Sequence, residues 1–443
     1  MKTFSLGGVH PHDSKISADA AIESFPIPTI AYISMGQHLG APAEPIVAKG
    51  DVVKVGQLIG KANGFISAPV HSSVSGKVKS VDMVKDIAGN LCKAVVITVE
   101  GDEWLESIDR SETIDGEIKL EAKDIISKIQ ECGIVGLGGA TFPTNVKLSP
   151  PPGKKAEFLI INAAECEPYL TSDYRVMMEM PEQMLIGAKI MMKALGVIQG
   201  FVGVEVNKPA AIAMLGKYAA KYPEIKVVPL AKKYPQGGEK QLIDAVVGRQ
   251  VPSMGLPIDV GAVVQNVGTA LATYEAVQKN KPLFESILTV TGECSGVFKN
   301  YKYRVGTPLS AIIEAAGGVP EEAVKVISGG PMMGKAVSNL DAPTLKGSSS
   351  VLFLTASQTK REEASNCIRC AKCVEACPMG LEPFLLNKLG KVSRMEELEA
   401  EKVYDCIECG CCQFTCPAHI PLLDTIRMAK GNVIRIMRSR PKN

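Results

Sequence analysis

Thirteen cysteines occur in the 443-residue chain, and nine of them fall between Cys367 and Cys416. Within that stretch "CIRCAKCVEACP" (367–378) and "CIECGCCQFTCP" (406–417) repeat one spacing, C-x2-C-x2-C-x3-C-P. Three thiolates spaced this closely converge on one [4Fe–4S] cube from a single tight loop. The proline then turns the chain, and the fourth cysteine reaches the neighbouring cube. The spacing therefore assigns Cys367, Cys370, Cys373 and Cys416 to one cluster, and Cys406, Cys409, Cys412 and Cys377 to the other. Structural zinc is the competing reading, but zinc sites usually separate two C-x2-C pairs by a longer gap. The odd cysteine count argues against a complete disulfide framework. Cys411 breaks the symmetry of the runs. It is an alternative to Cys412 as a ligand, but the matched spacing favours Cys412 and leaves Cys411 a small buried thiol.

The stretch between the runs, "LEPFLLNKLGKVSRMEELEAEKVY", is rich in helix formers, with apolar residues three and four apart, and "PLLDTIRMAKGN" after the second run is again helical. This resembles the all-helical ferredoxin domain of multi-subunit oxidoreductases. Such a module moves single electrons, so a two-electron donor or acceptor must be bound elsewhere in the chain.

The candidate for that place is "GLGGATFPT" (136–144). Successive glycines let backbone N–H groups approach an anion closely, and Lys147 supplies a charge to neutralise a phosphate. It is not a dinucleotide fingerprint, which runs strand, G-x-G-x-x-G, helix; here a helix precedes the loop and Pro143 follows it. Taken alone the loop is as easily a turn. Beside an iron–sulfur module it points to flavin, which takes hydride from a nicotinamide and releases electrons singly.

The elements that must position these groups are legible in outline. "KGDVVKVGQLIGKANGFISAPVHSSVSGKVKSV" (49–81) alternates apolar and polar residues between glycine turns. It resembles a lipoyl/biotinyl-type β-sandwich without the cofactor-carrying lysine, and so is expected to be structural. His10, His12, His38 and His71 have no cysteine or acidic triplet beside them and read as exposed or turn histidines. From Ala122 an amphipathic helix ends at Gly133. Strand-like "AEFLIINAAECEP", "FVGVEV" and "IKVVPL" then alternate with helical segments, implying a parallel, doubly wound sheet. "SILTVTGECSG" and the Gly-rich segment after it predict a small α+β unit, joined by the polar "SQTKREEASN" to the cysteine module.

The fold expected is thus multidomain α/β. Its parts are an N-terminal region with the β-sandwich (1–115), a Rossmann-like flavin-binding domain (116–284), a small unit (285–356) and a helical 2[4Fe–4S] domain (357–443). Hydrophobic residues are 46% and charged residues 22%, an ordinary folded balance, and the formal net charge of +2 gives no field to recruit nucleic acid. "MKTFSLGGVH" has no apolar h-region and no segment approaches a membrane-spanning run, so the expectation is a soluble, cytoplasmic chain, which leaves docking on a membrane complex open.

"GGVHPHDSK", "GLGGATFPT…K", "INAAECEP", "YPQGGEKQL" and "QNVGTA", followed by the paired cysteine runs, appear in an order that resembles the C subunit of Rnf complexes, membrane ion pumps coupling ferredoxin and NAD. A more distant similarity is to the FMN- and NADH-binding subunit of respiratory complex I. The resemblance implies FMN held by Gly136, Gly138, Gly139 and Lys147, by Asn162 and Glu165, by Gly237, Gly238 and Glu239, and by Asn266 and Thr269. It implies that Phe142 and Glu167 face NADH, and that 287–354 is a soluble-ligand-binding β-grasp domain. Partners would be NAD(H), an iron–sulfur subunit and other subunits of the complex, with ferredoxin reached indirectly. Two departures remove polar groups from the pocket: Leu137 stands where the complex I relative has arginine, and Ala164 where it has an acid. "GGAT" lacks the leading Ser or Thr of the flavinylation motif, which argues against covalent flavin at Thr141.

No protein nucleophile is required by the expected chemistry. Two rivals share most of these features: a cobalamin reductase of a microcompartment, and a flavin-free iron–sulfur relay whose glycine loop is only a turn. Taken singly, Glu165 and Glu167 read as solvated acids and Gly237–Gly238 as a turn. The C-terminal "RMAKGNVIRIMRSRPKN" has six basic residues and no acid, and reads as a solvated tail or a docking segment.

Overall fold

The computed structural model describes residues 1–440. Its centre is a four-stranded, all-parallel sheet in the order Ile225–Leu230, Gln199–Glu205, Phe158–Ala163, Ala262–Asn266. The strand "FLIINA" is nearly continuous in apolar residues because helices cover both faces: Leu159, Ile160, Ile161 and Ala163 are all buried. Helix Pro181–Leu195 starts with proline at its first turn and ends at a left-handed Gly196. It packs on Val267–Lys279 so closely that a Cβ on Gly187 would meet the Ala270 carbonyl. The expected helix before the glycine loop spans Ala122–Glu131 and stops at left-handed Gly133.

Residues 30–99 form two antiparallel sheets of four and three strands around a small apolar core that includes Ile33, Val53, Ile59, Val70 and Ile97. Two of the histidines expected at the surface are not there. His38 and His71 are buried, the first tied to Ala41, Ser67 and Ala68 between loops and the second on strand Val70–His71, where burial pushes its imidazole down to about 3. His10 and His12 are exposed.

The small unit is a mixed sheet around Leu288, Tyr303, Phe353 and helix Leu309–Ala315. Its edge strand is not local: Ile22–Ser24 pairs in parallel with Lys299–Arg304. The preceding residues also reach across the molecule. Lys2 bridges to Leu230 at the edge of the parallel sheet, Val9 pairs with Tyr234, and Gly8 N donates to the Ala376 carbonyl between Cys373 and Cys377.

The cysteine module contains helices Pro383–Lys391, Met395–Ala400 and Leu422–Ser439 around Leu386, Leu398, Val403 and Ile426. The basic C-terminal segment is helical rather than a loose tail through Ser439, and three of its cations are in ion pairs: Arg427 and Lys430 with Glu408, Arg440 with Glu399. Its last three residues lie outside the described ones. Among the described residues no helix is long and apolar enough to cross a membrane.

Candidate functional site

The two cysteine runs fold as one loop used twice. Arg369 and Glu408, two residues after the first cysteine of each run, are left-handed, and so are Ala371 and Gly410 two residues later. One-turn helices follow in register, Lys372–Glu375 and Cys411–Phe414. Gly380 and His419, three residues past each fourth cysteine, are left-handed again. Left-handed residues between cysteines turn successive N–H groups toward a common centre, an arrangement suited to an anionic cluster. Non-glycine residues adopt this conformation at a cost, so its recurrence marks a shape imposed by function.

The thiols fall into two groups. Cys373 lies within Coulombic reach of Cys416 and Cys367, and Cys412 within reach of Cys406, Cys409 and Cys377. The inner group thus takes three cysteines from the second run and the fourth from the first, and in the outer group Cys367 and Cys373 of the first run lie near Cys416 of the second. No group of three or more His, Cys, Asp or Glu among the described residues closes on a single-ion position. A cubane needs no such convergence, because each sulfur binds a different iron. The groups differ in depth. Cys377, Cys409 and Cys412 are buried and Cys406 half-buried, whereas Cys367 and Cys370 are exposed. Cys411 is fully buried and points to the Tyr234 carbonyl, 3.8 Å away.

A cavity of about 1690 Å³ opens beside the buried group. Among its lining residues are Gly136, Gly138, Gly139, Phe142, Lys147, Asn162, Glu165, Glu167, Gly237, Gly238, Glu239 and Asn266. Motifs up to 130 residues apart therefore meet in one place because they all sit at the C-terminal ends of parallel strands or the loops beside them, the usual ligand edge of such sheets. The glycine loop is closed by Gly136 N donating to the Phe142 carbonyl at 2.9 Å. A Cβ on Gly138 would lie 2.6 Å from Asn266 Nδ2, whereas one on Gly139 would meet nothing within 4 Å. The loop is thus pressed against Asn266 on one side and open on the other.

Several polar groups around this loop have defined partners. Lys147 Nζ donates to Glu239 Oε1 at 2.7 Å and to the Val264 carbonyl at 3.2 Å. Asn162 Nδ2 donates to the Gly237 carbonyl at 2.8 Å. Asn266 caps helix Val267–Lys279 by accepting from Gly268 N, and its Nδ2 donates to Asp173 Oδ2 at 2.7 Å. Thr269 is buried behind the glycine loop, accepts from Leu137 N at 2.9 Å and does not line the cavity. It holds the loop from beneath.

Glu165 and Glu167 are not solvated acids. Glu165 sits at a left-handed backbone position with its side chain 3% exposed; Oε1 accepts from Asp173 N at 2.8 Å, and Oε2 has only Lys15 at 3.8 Å and no hydrogen bond. Burial raises its carboxyl above the usual range. Glu167 accepts from Met332 N and Met333 N at 3.1 and 2.8 Å, clamping the Gly330–Gly334 turn of the small unit to the cavity wall, and burial pushes its carboxyl up to about 7.

Four contributors escaped sequence reading. Lys15, its side chain 14% exposed, donates to the Glu165, Glu167 and Leu170 carbonyls, and burial brings its ammonium down to about 8. Lys208 donates to the Ala164 carbonyl and pairs with Glu205. Asp173 lines the cavity, its carboxyl pushed up to about 7 by burial and then by Glu165. Tyr234 lines it too, and its hydroxyl donates to the Cys409 carbonyl at 3.0 Å. Lys15 lies inside "GGVHPHDSK" and Tyr234 inside "YPQGGEKQL", but nothing in their spacing tells which atoms they reach.

Family models match along the chain: the RnfC barrel sandwich hybrid domain over 2–102, the Nuo51 FMN-binding domain over 129–275, the SLBB domain over 298–336 and a 4Fe-4S dicluster domain over 359–417. The C subunit of the proton-translocating ferredoxin:NAD(+) oxidoreductase complex of Clostridium ljungdahlii is 48% identical, covering 90% of this chain and 87% of that protein. The chain belongs to the RnfC family. Its relatives there include the C subunit of the Na(+)-translocating ferredoxin:NAD(+) oxidoreductase complex of Acetobacterium woodii, 44% identical over 97% of this chain and 96% of that one. The C subunit of the ion-translocating oxidoreductase complex of Rhodobacter capsulatus is 40% identical, over 98% and 84%. As an RnfC chain it has the mixed α/β make-up and the order of parts that the motifs implied. Among solved structures, the H2-reduced NAD+-reducing [NiFe]-hydrogenase aligns at 18% identity and a TM-score of 0.48, over 72% of this chain and 61% of that one.

Proposed function

We propose that this chain is the NAD(H)-linked electron-transfer subunit of a membrane-bound, ion-translocating ferredoxin:NAD+ oxidoreductase complex, held at the cytoplasmic face. One observation carries the reading: the segment from Tyr234 to Glu239 touches the buried cysteine loop at one end and the glycine cradle at the other. The residues fit FMN. The open face at Gly139, the N-terminus of helix Val267–Lys279 and Lys147 suit a phosphate, and buried Glu165 lines the same cavity with Oε2 left without a hydrogen bond. When bound, FMN exchanges hydride with a nicotinamide and single electrons with iron–sulfur centres.

The chain's own part is positioning. Thr269 and Asn266 fix the glycine loop, Asn162 fixes the Gly237 turn, and the Lys147–Glu239 pair keeps a cation at the cavity wall without leaving it unpaired. Burial brings the Asp173 and Glu167 carboxyls up to about 7, so they hold or release protons close to working pH, and burial raises the Glu165 carboxyl beside them. Cys406, Cys409, Cys412 and Cys377 hold the inner cluster against Tyr234 and Ile407. Cys367, Cys370, Cys373 and Cys416 hold the outer one, where exposure suits exchange with a partner iron–sulfur subunit.

The test is an anaerobic NADH titration of protein reconstituted with FMN and clusters, followed in the visible. Loss of the flavin bands together with cluster reduction is expected. Bound flavin that stays oxidised under NADH would overturn the nicotinamide assignment.

A further inference from the structure

The cavity is larger than one ligand requires. Sites for a single small molecule run to about 300–1000 Å³, and about 1690 Å³ leaves room for a second nucleotide beside FMN. One wall beside the glycine loop comes from the N-terminal sandwich, and its composition is unusual for surface loops. Phe65 is 78% exposed, Leu39 53% and Ile66 39%, and all three line the cavity. Single exposed apolar side chains are ordinary, but a cluster at the mouth of a ligand cavity marks a contact surface.

The two loops that carry them are stitched together. Ala41 N donates to the Ile66 carbonyl at 3.0 Å, and Gly40, at φ +109°, approaches that carbonyl so closely that a Cβ would lie 2.0 Å from it. Ser67 Oγ donates to the Ala41 carbonyl and accepts from Asn63 N, while His38 Nε2 accepts from Ala68 N. The pair is also docked on the glycine loop, Leu39 N donating to the Thr141 carbonyl at 3.3 Å, one residue before Phe142. Phe65 is therefore an aromatic face carried on rigid loops, exposed to the cavity and joined to the cradle through one hydrogen bond.

We propose that Phe65, backed by Leu39 and Ile66, is the platform on which the adenine of NAD(H) stacks, so that the β-sandwich supplies the specificity for the dinucleotide. This rests on the reading of the cavity as an FMN and NAD(H) site. A dinucleotide whose nicotinamide lies at the glycine loop extends beyond that loop, and the sandwich wall is the apolar surface continuous with it. Any base offers a π face to such a ring, and losing the stack weakens binding by about 5- to 150-fold.

The experiment compares wild type, Phe65→Ala and Phe65→Trp in the full chain with clusters. ADP-ribose binding is measured by calorimetry with and without FMN, and turnover with ferricyanide is measured for NADH and for reduced nicotinamide mononucleotide. Phe65→Ala is expected to weaken ADP-ribose and raise the KM for NADH within that range, to leave the mononucleotide KM unchanged, and to be rescued by tryptophan. Unchanged ADP-ribose affinity in Phe65→Ala would overturn the platform, including the case in which that variant instead loses its hold on the other subunits. Equal loss for NADH and mononucleotide would also overturn it, because that is collapse of the loops. If wild type binds no ADP-ribose and NADH leaves its flavin oxidised, the nicotinamide reading itself fails.

Discussion

Gly138 and Asp173 show how single residues set the chemistry of the cavity. Gly138 has no space for a side chain, since a Cβ would lie 2.6 Å from Asn266 Nδ2. Gly138→Ala is expected to push the loop and Asn266 apart and to lower FMN affinity at least about tenfold, a loss of about 1.4 kcal/mol, with both clusters retained; fluorescence of retained flavin after reconstitution measures it. Asp173 is a buried acid whose carboxyl titrates at about 7 rather than near its usual value of about 4. The unfolded chain releases that proton at lower pH than the folded one, so the contribution of this group to stability falls as pH rises from about 4 to about 7 and is flat outside that window. Asp173→Asn keeps an oxygen to accept from Asn266 and removes the penalty. Its flavin-free form is expected to match wild type in thermal midpoint below pH 4 and exceed it above pH 7. An equal difference at both extremes would sink the account.

At the scale of elements, the duplicated cysteine loop decides between neighbouring thiols. Cys412 stands at the position equivalent to Cys373, while Cys411 stands where the first run has Lys372, at the start of its one-turn helix, buried against Tyr234. Cys412→Ser is expected to lose the inner cluster, halving iron from about eight atoms per chain. Cys411→Ser is expected to keep all of it and at most shift the potential through the altered hydrogen bonding. Iron and acid-labile sulfide counts separate the two, and the reverse result would reassign the ligand. The terminal helix supports this loop through Arg427 and Lys430, both on Glu408. That is a use of basic residues which a charge count alone reads as a free tail.

For the whole molecule, one buried lysine joins three parts. Lys346, 1% exposed, donates to the Pro69 carbonyl of the sandwich at 3.1 Å and to the Gly133 carbonyl before the glycine loop at 2.8 Å, from a turn of the small unit. Burial pushes its ammonium down to about 7. Because its folded value is depressed, its contribution is full above the usual lysine value of about 10.4 and is lost as pH falls to about 7. Lys346→Met fills the space but leaves two carbonyls unpaired, at a cost of about 1–3 kcal/mol each. Faster proteolysis of the sandwich in Lys346→Met, with the cysteine module unaffected, is the expected outcome, and hydrogen exchange at residues 67–72 and 133–136 checks it. The N-terminal residues act in the same way, Val9 on Tyr234 and Gly8 on Ala376, so a segment without its own core fixes the distance between cradle and cysteine module.

The sequence by itself determined the parts: paired cysteine runs, a parallel α/β unit, a glycine loop and their order. These signals are local, since ligand spacing, strand and helix periodicity and turn glycines act within about a dozen residues. The family resemblance of the motifs put Glu165, Asn162 and Asn266 in one neighbourhood, and all three line the one cavity. What only the tertiary structure decided is which groups meet across the chain: Lys15 under Glu165, Glu167 on the Gly330–Gly334 turn, Tyr234 between cavity and cysteines, Phe65 at the mouth, His38 and His71 in the interior. Burial and hydrogen-bond partners depend on packing between segments up to hundreds of residues apart, and one residue's type carries no record of the surface it will face.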